Sequence, residues 1–372
     1  MDNLSSVNSC SRRSILLAVS VALFAVLPSC SEGEKISTIS YDFAMGREVG
    51  ADFSALFEYV YGFQIEESDS TMFDFISICG FLGDNVVFCD DSDRICTIDG
   101  RGKAVSIFSR KGRGPQEYLS IASLDIDEPE RTVYVQDVSS KKRVLKYSLT
   151  GDFRGDFPLK RTPSGILLNN GCLYAANLAD SSSRYSVYSV DSMEPIAESS
   201  ALKKRPKTAI VYSDKIFNVG ESVLYQMALT DTVYRLYQDR MEPFLHIDFG
   251  KYEMPIEYRA SLDLLDKYSP YYMPDYHYMM SAEYLFADYL YGNKMYYDIW
   301  KYKEGKLIYH HIVDEENFLP GFPINVGGQI VYSWPEYIQS DTMICEVYPL
   351  GEDGPFWSLE NDNPALLRLR IK

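Results

Sequence analysis

The sequence lacks the residue patterns on which most catalytic and metal sites are built. It has four histidines and no His-Glu-x-x-His sequence. Two of them, His310 and His311, are adjacent. Adjacent side chains of a strand point to opposite faces, so this pair cannot bind one ion from a strand. No Gly-x-Ser-x-Gly sequence occurs either, so the serine nucleophile of an α/β-hydrolase is not predicted. We predict no catalytic residue, no metal ion and no cofactor.

Cysteine is also scarce, and its spacing does not predict a disulfide framework. No Cys-x-x-Cys pair exists, and an odd number of cysteines follows the N-terminal segment: Cys79, Cys89, Cys96, Cys172 and Cys345. Cys79, Cys89 and Cys96 fall at strand-like positions, and we interpret them as small buried apolar side chains. The alternative is one disulfide bridge, Cys89–Cys96 or Cys79–Cys89.

Positive charge is in short supply. The chain has 53 Asp and Glu residues against 36 Lys and Arg residues, a net charge of −17. A nucleic-acid-binding protein needs clustered positive charge to displace the counterions of the phosphates, and adhesion to anionic lipid needs it too. The balance therefore argues against nucleic acid as a partner and against electrostatic binding to a membrane.

The first 34 residues predict export and lipid attachment. Arg12 and Arg13 precede the apolar run Ile15–Val26, which is shorter than the roughly 20 residues that span a bilayer. The next segment, Leu27–Cys30, resembles a bacterial lipobox, in which the cysteine is lipidated and becomes the first mature residue. Ser31–Glu34 resembles the surface-export signal of Bacteroidota lipoproteins.

These features predict an outer-membrane lipoprotein that reaches the cell surface. Residues 1–29 are the expected signal peptide, Cys30 is the expected lipidation site, and residues 30–45 are the expected tether. The membrane is then contacted only through the N-terminal lipid. Two alternatives remain: an ordinary cleaved signal peptide, and a lipoprotein that faces the periplasm.

A repeat organises the rest of the chain. Val86–Asp90 and Val133–Asp137 are matching strand-like runs. Arg94 and Arg143 lie 49 positions apart, as do Gly102 and Gly151. Short alternating strands at a fixed period of this length are typical of β-propellers. A single small sheet cannot bury both of its faces, so its copies must stack around an axis. We predict an all-β fold in which residues 46–372 form one six-bladed propeller of four-stranded antiparallel blades.

Two segments interrupt this pattern and are interpreted as insertions, at about 254–283 and about 334–363. The first has helical spacing followed by a tyrosine-rich run, which predicts a short helix and a loop. Aromatic side chains on projecting loops can stack on a sugar ring or a partner protein. The candidate ligand-binding residues are Tyr271, Tyr272, Tyr276, Trp334, Tyr337 and Trp357. The alternative is that these rings pack the insertions onto the propeller.

The segment Gly112–Tyr118 joins the first two copies of the repeat. It is glycine-rich, but no Lys-Ser/Thr follows and it does not open a helix, so it is not a phosphate-binding loop. We interpret it as a tight crossing between blades, in which the glycines adopt positive φ and Pro115 fixes the exit. Glu117 is then expected to accept backbone hydrogen bonds or to pair with Arg113.

Four motifs together resemble a family of six-bladed β-propeller lipoproteins of Bacteroidota, with an NHL- or TolB-like architecture. The first is the joint, with Gly112, Gly114, Pro115, Glu117 and Tyr118. The others follow in the family's order: Asp231–Arg235, Ile247–Gly250 and Asn363–Lys372. The chain departs from the pattern at Gln116, where glycine is common. The resemblance implies a propeller and an envelope location, and it implies no established activity.

Three functions are compatible with these observations. The first is a non-catalytic binding module that recognises a glycan, a peptide or a protein partner through one propeller face. The second is a propeller hydrolase or lyase with an acidic site in the central channel, although a fold alone does not establish a function. The third is a structural scaffold within an envelope complex. The lack of catalytic motifs favours the first.

Replacing Cys30 with serine is expected to abolish lipidation, because serine does not provide the thiol that is acylated. Each buried acyl methylene contributes about 0.8 kcal/mol to membrane affinity. The wild-type chain should therefore enter the detergent phase in a phase-partition experiment, and Cys30→Ser should stay in the aqueous phase. Cys89→Ser is the matched control and should partition like the wild type. Detergent-phase recovery of Cys30→Ser would contradict the prediction.

Overall fold

The computed structural model describes residues 36–41, 48–73, 75–138, 142–177, 183–199, 214–238, 240–259, 261–273, 276–313, 318–348 and 353–372. The predicted signal peptide, Cys30 and most of the predicted tether lie outside these described residues. Within them, no helix is both long and apolar enough to cross a membrane.

Six antiparallel sheets form the blades of a β-propeller, which confirms the predicted fold class. Two strands and a short helix precede the first blade: β1 Ser37–Ser40, α1 Phe53–Leu56 and β2 Phe57–Gln64. Each of the next three blades is a meander in which every strand pairs with the next one along the chain. Their strands are β3 Ile76–Leu82, β4 Asn85–Asp90, β5 Ile95–Ile98 and β6 Ala104–Phe108; β7 Ile121–Asp127, β8 Thr132–Asp137, β9 Arg143–Ser148 and β10 Phe153–Pro158; and β11 Pro163–Asn169, β12 Cys172–Asn177, β13 Tyr185–Ser189 and β14 Pro195–Glu198.

The fourth and fifth blades continue the meander, and short helices lie between and after their strands. The strands are β15 Lys215–Val219, β16 Ser222–Gln226, β17 Thr232–Leu236 and β18 Met241–Asp248, then β19 Tyr276–Met280, β20 Tyr284–Tyr291, β21 Lys294–Lys301 and β22 Lys306–Val313. The helices are α2 Leu262–Tyr268 and the 3-10 turns Gly250–Tyr252, Ile256–Arg259 and Tyr302–Glu304.

The N-terminal part of the chain completes the sixth blade. Its other strands are β23 Phe322–Val326, β24 Gln329–Gln339, β25 Thr342–Tyr348 and β26 Ala365–Ile371. The strand β2 pairs antiparallel with β26, with Phe57 opposite Ile371. The blade therefore reads β24, β25, β26 and β2 from the axis outwards, and β23 pairs with the first half of β24.

The same N-terminal segment also crosses the fourth and fifth blades. β1 adds a parallel fifth strand to β18, and Ile39 lies opposite Ile247. Val49 then exchanges two backbone hydrogen bonds with His310 of β22, at 3.0 and 2.9 Å. We call residues 37–64 the N-terminal strap. It ties together three consecutive blades before the first blade begins.

The core lies between blades, because each sheet buries both faces against its neighbours. One cluster joins Val87 of the first blade to Val133 and Tyr147 of the second, and all three side chains are fully buried. Burial of a side chain of this size contributes about 1.5–3 kcal/mol. The cysteines take part in this packing: Cys79, Cys96, Cys172 and Cys345 are buried, Cys89 is partly buried, and all five are free thiols. The predicted packing role is confirmed, and the alternative disulfide does not form.

The second expected insertion is wrong over residues 334–348. Trp334 continues β24, and Thr342–Tyr348 forms β25. The pairing of these two strands shifts register between Pro335 and Tyr337. Proline has no N–H to give to a sheet, and a bulge accommodates it. Of the described residues in this range, 353–363 lie between β25 and β26, and 340–341 form the turn between β24 and β25.

The first expected insertion contains the predicted helix, but it ends earlier than predicted. α2 occupies Leu262–Tyr268. The strand β19 then begins at Tyr276, so the last part of the expected insertion is the inner strand of the fifth blade. The described residues between β18 and β19 are therefore 249–259 and 261–273. The strand 276–280 was not predicted because the tyrosines and prolines that precede it are typical of a loop.

The joint between the first two blades is built as a close approach rather than as a left-handed turn. Gly112 and Gly114 do not have positive φ, so the predicted reason for these glycines is wrong. A Cβ on Gly112 would instead lie 2.0 Å from Oε2 of Glu117. The Gly114 N–H donates to the same oxygen at 2.7 Å. Glu117 thus accepts a backbone hydrogen bond, which confirms the first of its two predicted roles.

The remaining residues of the joint bind it to both blades. Tyr118 is fully buried, and its hydroxyl donates to the Asp93 carbonyl oxygen at 2.8 Å. On the other side, Arg143 of β9 donates from Nη1 to the Pro115 carbonyl oxygen at 2.6 Å. The joint is therefore a structural connection between the first two blades.

A buried polar network stabilises the fifth blade. The side chains of Asp298 and His310 are fully buried, and Asp298 Oδ1 lies 2.6 Å from His310 Nδ1. The Tyr289 hydroxyl donates to the other carboxylate oxygen at 2.9 Å. As predicted, the two adjacent histidines point apart: His311 instead bonds the Leu319 carbonyl oxygen, at 2.9 Å.

Asp298→Ala is expected to lower the free energy of unfolding by about 3–5 kcal/mol, because it leaves His310 and Tyr289 buried without their common partner. Urea denaturation monitored by tyrosine and tryptophan fluorescence measures the change. The control is Asp263→Ala, which removes an exposed carboxylate from α2 and should change stability by less than about 0.5 kcal/mol. An equal, small effect of both changes would show that the network contributes little.

Candidate functional site

A cavity runs along the propeller axis, where the innermost strands of the six blades face one another. Its volume is about 740 Å³. Every blade contributes to its wall, which is formed mainly by residues 77–80 of β3, 121–126 of β7, 165–168 of β11, 215–218 of β15, 278–280 of β19 and 336–339 of β24. We call this cavity the central channel. It is large enough for a small oligosaccharide or a few residues of a peptide.

Bulges in four inner strands shape the channel wall. The ladder with the second strand of the blade shifts by one residue at Cys79, Ala122, Ser164 and Glu336. A bulge leaves one residue unpaired and re-aims its side chain. Cys79, Ala122 and Glu336 are part of the channel wall. The bulge at Ala122 leaves an exposed side chain in the wall, whereas Cys79 packs into the core between the first two blades.

Side chains connect the inner strands of the second and third blades across the wall. The Ser123 hydroxyl oxygen accepts from the Ile166 N–H at 3.2 Å. Two residues further on, Asp125 Oδ2 accepts from the Leu168 N–H at 2.6 Å. These bonds replace the backbone ladder that two separate sheets cannot form. They hold this side of the channel rigid.

The channel wall is acidic. Four carboxylates belong to it, Asp125, Glu128, Asp214 and Glu336, and the single cationic side chain among its described residues is Lys215. Lys215 Nζ donates to the Tyr276 carbonyl oxygen at 2.9 Å and lies 4.7 Å from the centre of the Tyr278 ring. The wall thus combines a negative electrostatic field with apolar and aromatic surface.

Two of the carboxyl groups have altered pKa values. Burial raises the pKa of Asp125 to about 7, although the Leu168 and Ile126 N–H groups oppose the rise. Burial also raises the pKa of Glu336 to about 7; the nearby Glu346 adds to the rise and His277 reduces it. Loss of hydration disfavours the charged form in both cases. Near neutral pH, each group is therefore close to half-ionised.

The cysteine in the wall is not an activated nucleophile. The Cys79 thiol lies 3.0 Å from the Val87 carbonyl oxygen and donates to it. Burial raises the pKa of this thiol well above its ordinary value. A reactive thiolate needs the opposite shift.

Most of the predicted aromatic site residues do not meet at one surface. Trp334 is buried against Phe286 and Tyr297, and its Nε1 donates to Asp288 Oδ1 at 3.0 Å. Tyr276 packs against Tyr41 of the N-terminal strap, and their hydroxyls are 2.8 Å apart. Both rings therefore pack the fold together, which was the alternative to ligand binding.

The other four predicted residues lie in three different places. Tyr337 is part of the channel wall and contacts the edge of the Phe81 ring. Tyr271 is 67% exposed beyond α2, and Tyr272 is packed against Tyr258 in the same insertion. Trp357 packs against Phe356 in the loop before β26. Of the predicted set, the structure places only Tyr337 in the channel.

The residues that give the channel its chemistry were not singled out from the sequence. Asp125 and Glu336 are single acids within apolar strand segments, Leu124-Asp125-Ile126 and Pro335-Glu336-Tyr337. An acid at such a position of an inner strand is the signal that could have identified them. Among the described residues, no group of three His, Cys, Asp or Glu side chains is arranged to hold a metal ion.

Solved structures resemble this fold at low sequence identity. A Bacteroides fragilis protein assigned as exported matches with a TM-score of 0.63 and 18% identity, over 91% of this chain and all (100%) of that one. The WD40 repeats of RRP9 match with a TM-score of 0.42 and 10% identity, over 87% of this chain and 100% of that one. BamB from Moraxella catarrhalis matches with a TM-score of 0.35 and 12% identity, over 78% of this chain and 68% of that one.

The first of these matches supports the fold alone, and the other two are too distant to support any argument. No curated protein sequence matches the chain significantly. A family profile matches residues 36–367, which include all six blades. The chain therefore belongs to the family described as a domain of unknown function, DUF4934.

Proposed function

We propose that this protein is an envelope-anchored, non-catalytic binding module that takes its ligand into the central channel from one propeller face. The observation that carries the proposal is the channel itself, a cavity of about 740 Å³ with wall residues from all six blades. Its wall offers carboxylates, aromatic rings and apolar side chains. Such a mixture is typical of sites that orient a small ligand by a few polar contacts.

The channel supports this proposal better than the aromatic loops do. Trp334 and Tyr276 are engaged in packing, so they have no free face for a ligand. Tyr271 is exposed but stands apart from Trp357 in the chain and in its contacts. A glycan or a peptide segment is the proposed ligand class, and Tyr337 is the predicted aromatic residue that would contact it.

The envelope location rests on the N-terminal sequence and on the exported Bacteroides fragilis protein of similar fold. A lipid on Cys30 would hold the propeller at the outer membrane, on the cell surface in the preferred orientation and on the periplasmic side in the alternative. An NHL- or TolB-like kinship stays a prediction. In an alternative form of this function, a protein partner docks on the propeller face and does not enter the channel.

A second candidate is an acid–base hydrolase or lyase. One observation favours it: the pKa of Glu336 is raised to about 7, a value suited to general acid catalysis near neutral pH. His277 and Asp288, whose side chains lie 3.0 Å apart, are titratable neighbours of this carboxyl. Turnover of a bound ligand by the wild type, with none by Glu336→Gln, would establish this candidate.

Filling the channel should abolish binding. Ala122 lies at a bulge and its side chain is exposed to the channel, so Ala122→Trp is expected to weaken binding more than tenfold by steric exclusion. A glycan array and a peptide array, probed with the full chain, measure the change. The matched control is Val105→Trp on β6, whose side chain is 57% exposed outside the channel.

Equal melting temperatures of both variants and the wild type would show that folding is intact. Binding of the same array members by wild type and Ala122→Trp would overturn the channel as the site. It would move the search to the aromatic insertion or to a protein-docking face.

A further inference from the structure

We infer that the ligand of the central channel carries a protonated amine or a guanidinium group, which pairs with the carboxylate of Glu336. This inference rests on the proposed function, because it names the chemistry of the ligand that the channel would take. Its support comes from the charge of the wall, from the state of each carboxylate and from the position of Glu336.

The sign of the wall charge selects against anionic ligands. Four carboxylates face one ammonium among the described wall residues, and the whole chain carries a net charge of −17. Charges around a cavity with low-dielectric walls act together on whatever enters it. A phosphorylated, sulfated or uronic-acid ligand would be repelled, whereas a cation would be attracted.

Three of the four carboxylates already have hydrogen-bond donors. Asp125 accepts from the backbone N–H groups of Ile126 and Leu168. Asp214 accepts from the Ala228 N–H at 2.9 Å and from the Tyr225 hydroxyl. These bonds stabilise their charge without a ligand.

The third is Glu128, which accepts from the Gln339 side-chain amide at the channel wall. Glu336 is the exception among the four. No described residue donates a hydrogen bond to its carboxylate or forms an ion pair with it. It is therefore the wall carboxylate whose charge has no compensating partner of its own.

Glu336 occupies a bulge of the innermost strand of the sixth blade. It is the extra residue of the bulge between Pro335 and Tyr337, and it lies in the channel wall. The titratable groups that interact with it come from four strands of the fifth and sixth blades. Three of them shift the pKa of Glu336: His277 of β19, Asp288 of β20 and Glu346 of β25. Glu336 in turn raises the pKa of Tyr297 of β21 and of Cys345 and Tyr348 of β25.

This surrounding set is mostly acidic. Glu346 and Asp288 both raise the pKa of Glu336, and only His277 opposes them. Lys215 is bound to the Tyr276 carbonyl oxygen in the fourth-to-fifth blade wall and is not among the charges that act on Glu336. A cation from the ligand would supply the positive charge that the wall lacks at this point.

Two sources share this chemistry. A free linear polyamine would lie along the channel and present ammonium groups at intervals. A peptide would instead insert a Lys or Arg side chain from outside. Both would pair with Glu336, and they differ in what else they place in the channel. Separate probes distinguish them.

The pH dependence has a definite sign. The pKa of Glu336 is raised to about 7, so the carboxylate that attracts a cation is mostly present above that pH and mostly protonated below it. A group with this pKa goes from about one tenth to about nine tenths ionised between about pH 6 and about pH 8. Cation binding should strengthen about ninefold over this interval. Glu336→Gln removes the titrating carboxyl and leaves the other side chains of the wall in place.

The test is isothermal titration calorimetry of the full chain with four probes: spermidine, acetyl-Ala-Lys-Ala-amide, its norleucine analogue and maltotriose. We expect spermidine or the lysine peptide to bind at least tenfold more tightly than the two uncharged probes. Glu336→Gln should weaken that binding at least tenfold and remove most of its pH dependence. Glu360→Gln, the same change at an exposed residue outside the channel, should leave both unchanged.

The outcomes separate this inference from the proposed function. Equal binding of the lysine and norleucine peptides, or of spermidine by wild type and Glu336→Gln, would overturn the inference, as would the binding of neither cationic probe. If maltotriose binds and Ala122→Trp abolishes that binding, the channel remains the site while its cationic specificity is refuted. If cationic probes bind equally to wild type and Ala122→Trp, the channel is refuted as well.

Discussion

The structure depends on the pairing of β2 with β26. A four-stranded blade exposes two apolar faces, so each blade is stable only between two neighbours, and the ring must close. Closure here is made by backbone hydrogen bonds between strands from the two ends of the propeller, with Phe57 opposite Ile371. The N-terminal strap extends the same closure backwards, through Val49 on the fifth blade and β1 on the fourth.

The channel follows from that closure. Six inner strands are held at a common radius only while the ring is closed, and the bulges at Ala122 and Glu336 then direct side chains to the axis. The bonds from Ser123 and Asp125 to the next blade fix one side of the wall. On the opposite side, none of the described residues donates a hydrogen bond to the Glu336 carboxylate. The wall is thus held by hydrogen bonds where its carboxylates have donors, and Glu336 is the wall carboxylate that a ligand could bind.

The sequence predicted the number of blades, but it did not predict the composition of the sixth. The repeat was visible because Arg94 and Arg143, and the glycines after them, occupy equivalent turns. The predicted insertion began at Trp334, inside the strand Gln329–Gln339, because Pro335 in its middle is the usual sign that a strand has ended. The bulge that admits this proline depends on the partner strand β25, so local sequence could not reveal it. The glycines of the joint were also interpreted from local sequence alone, which predicted a positive φ that they do not have. Their actual role depends on the side chain of Glu117, which lies against Gly112.

The closure of the ring also sets the order in which the protein can fold. Phe57 and Ile371 are partners although 314 positions of the chain separate them. Contacts of such high sequence separation form late and slowly, because the entropy of closing the loop must be overcome first. Blades one to five are complete in sequence before β26 is available, so β2 has to wait with an unpaired edge. If the chain is exported from its N-terminus, the edge of β2 stays unpaired until the C-terminal strand has also crossed the membrane. The seven-residue strand Ala365–Ile371 then closes the ring.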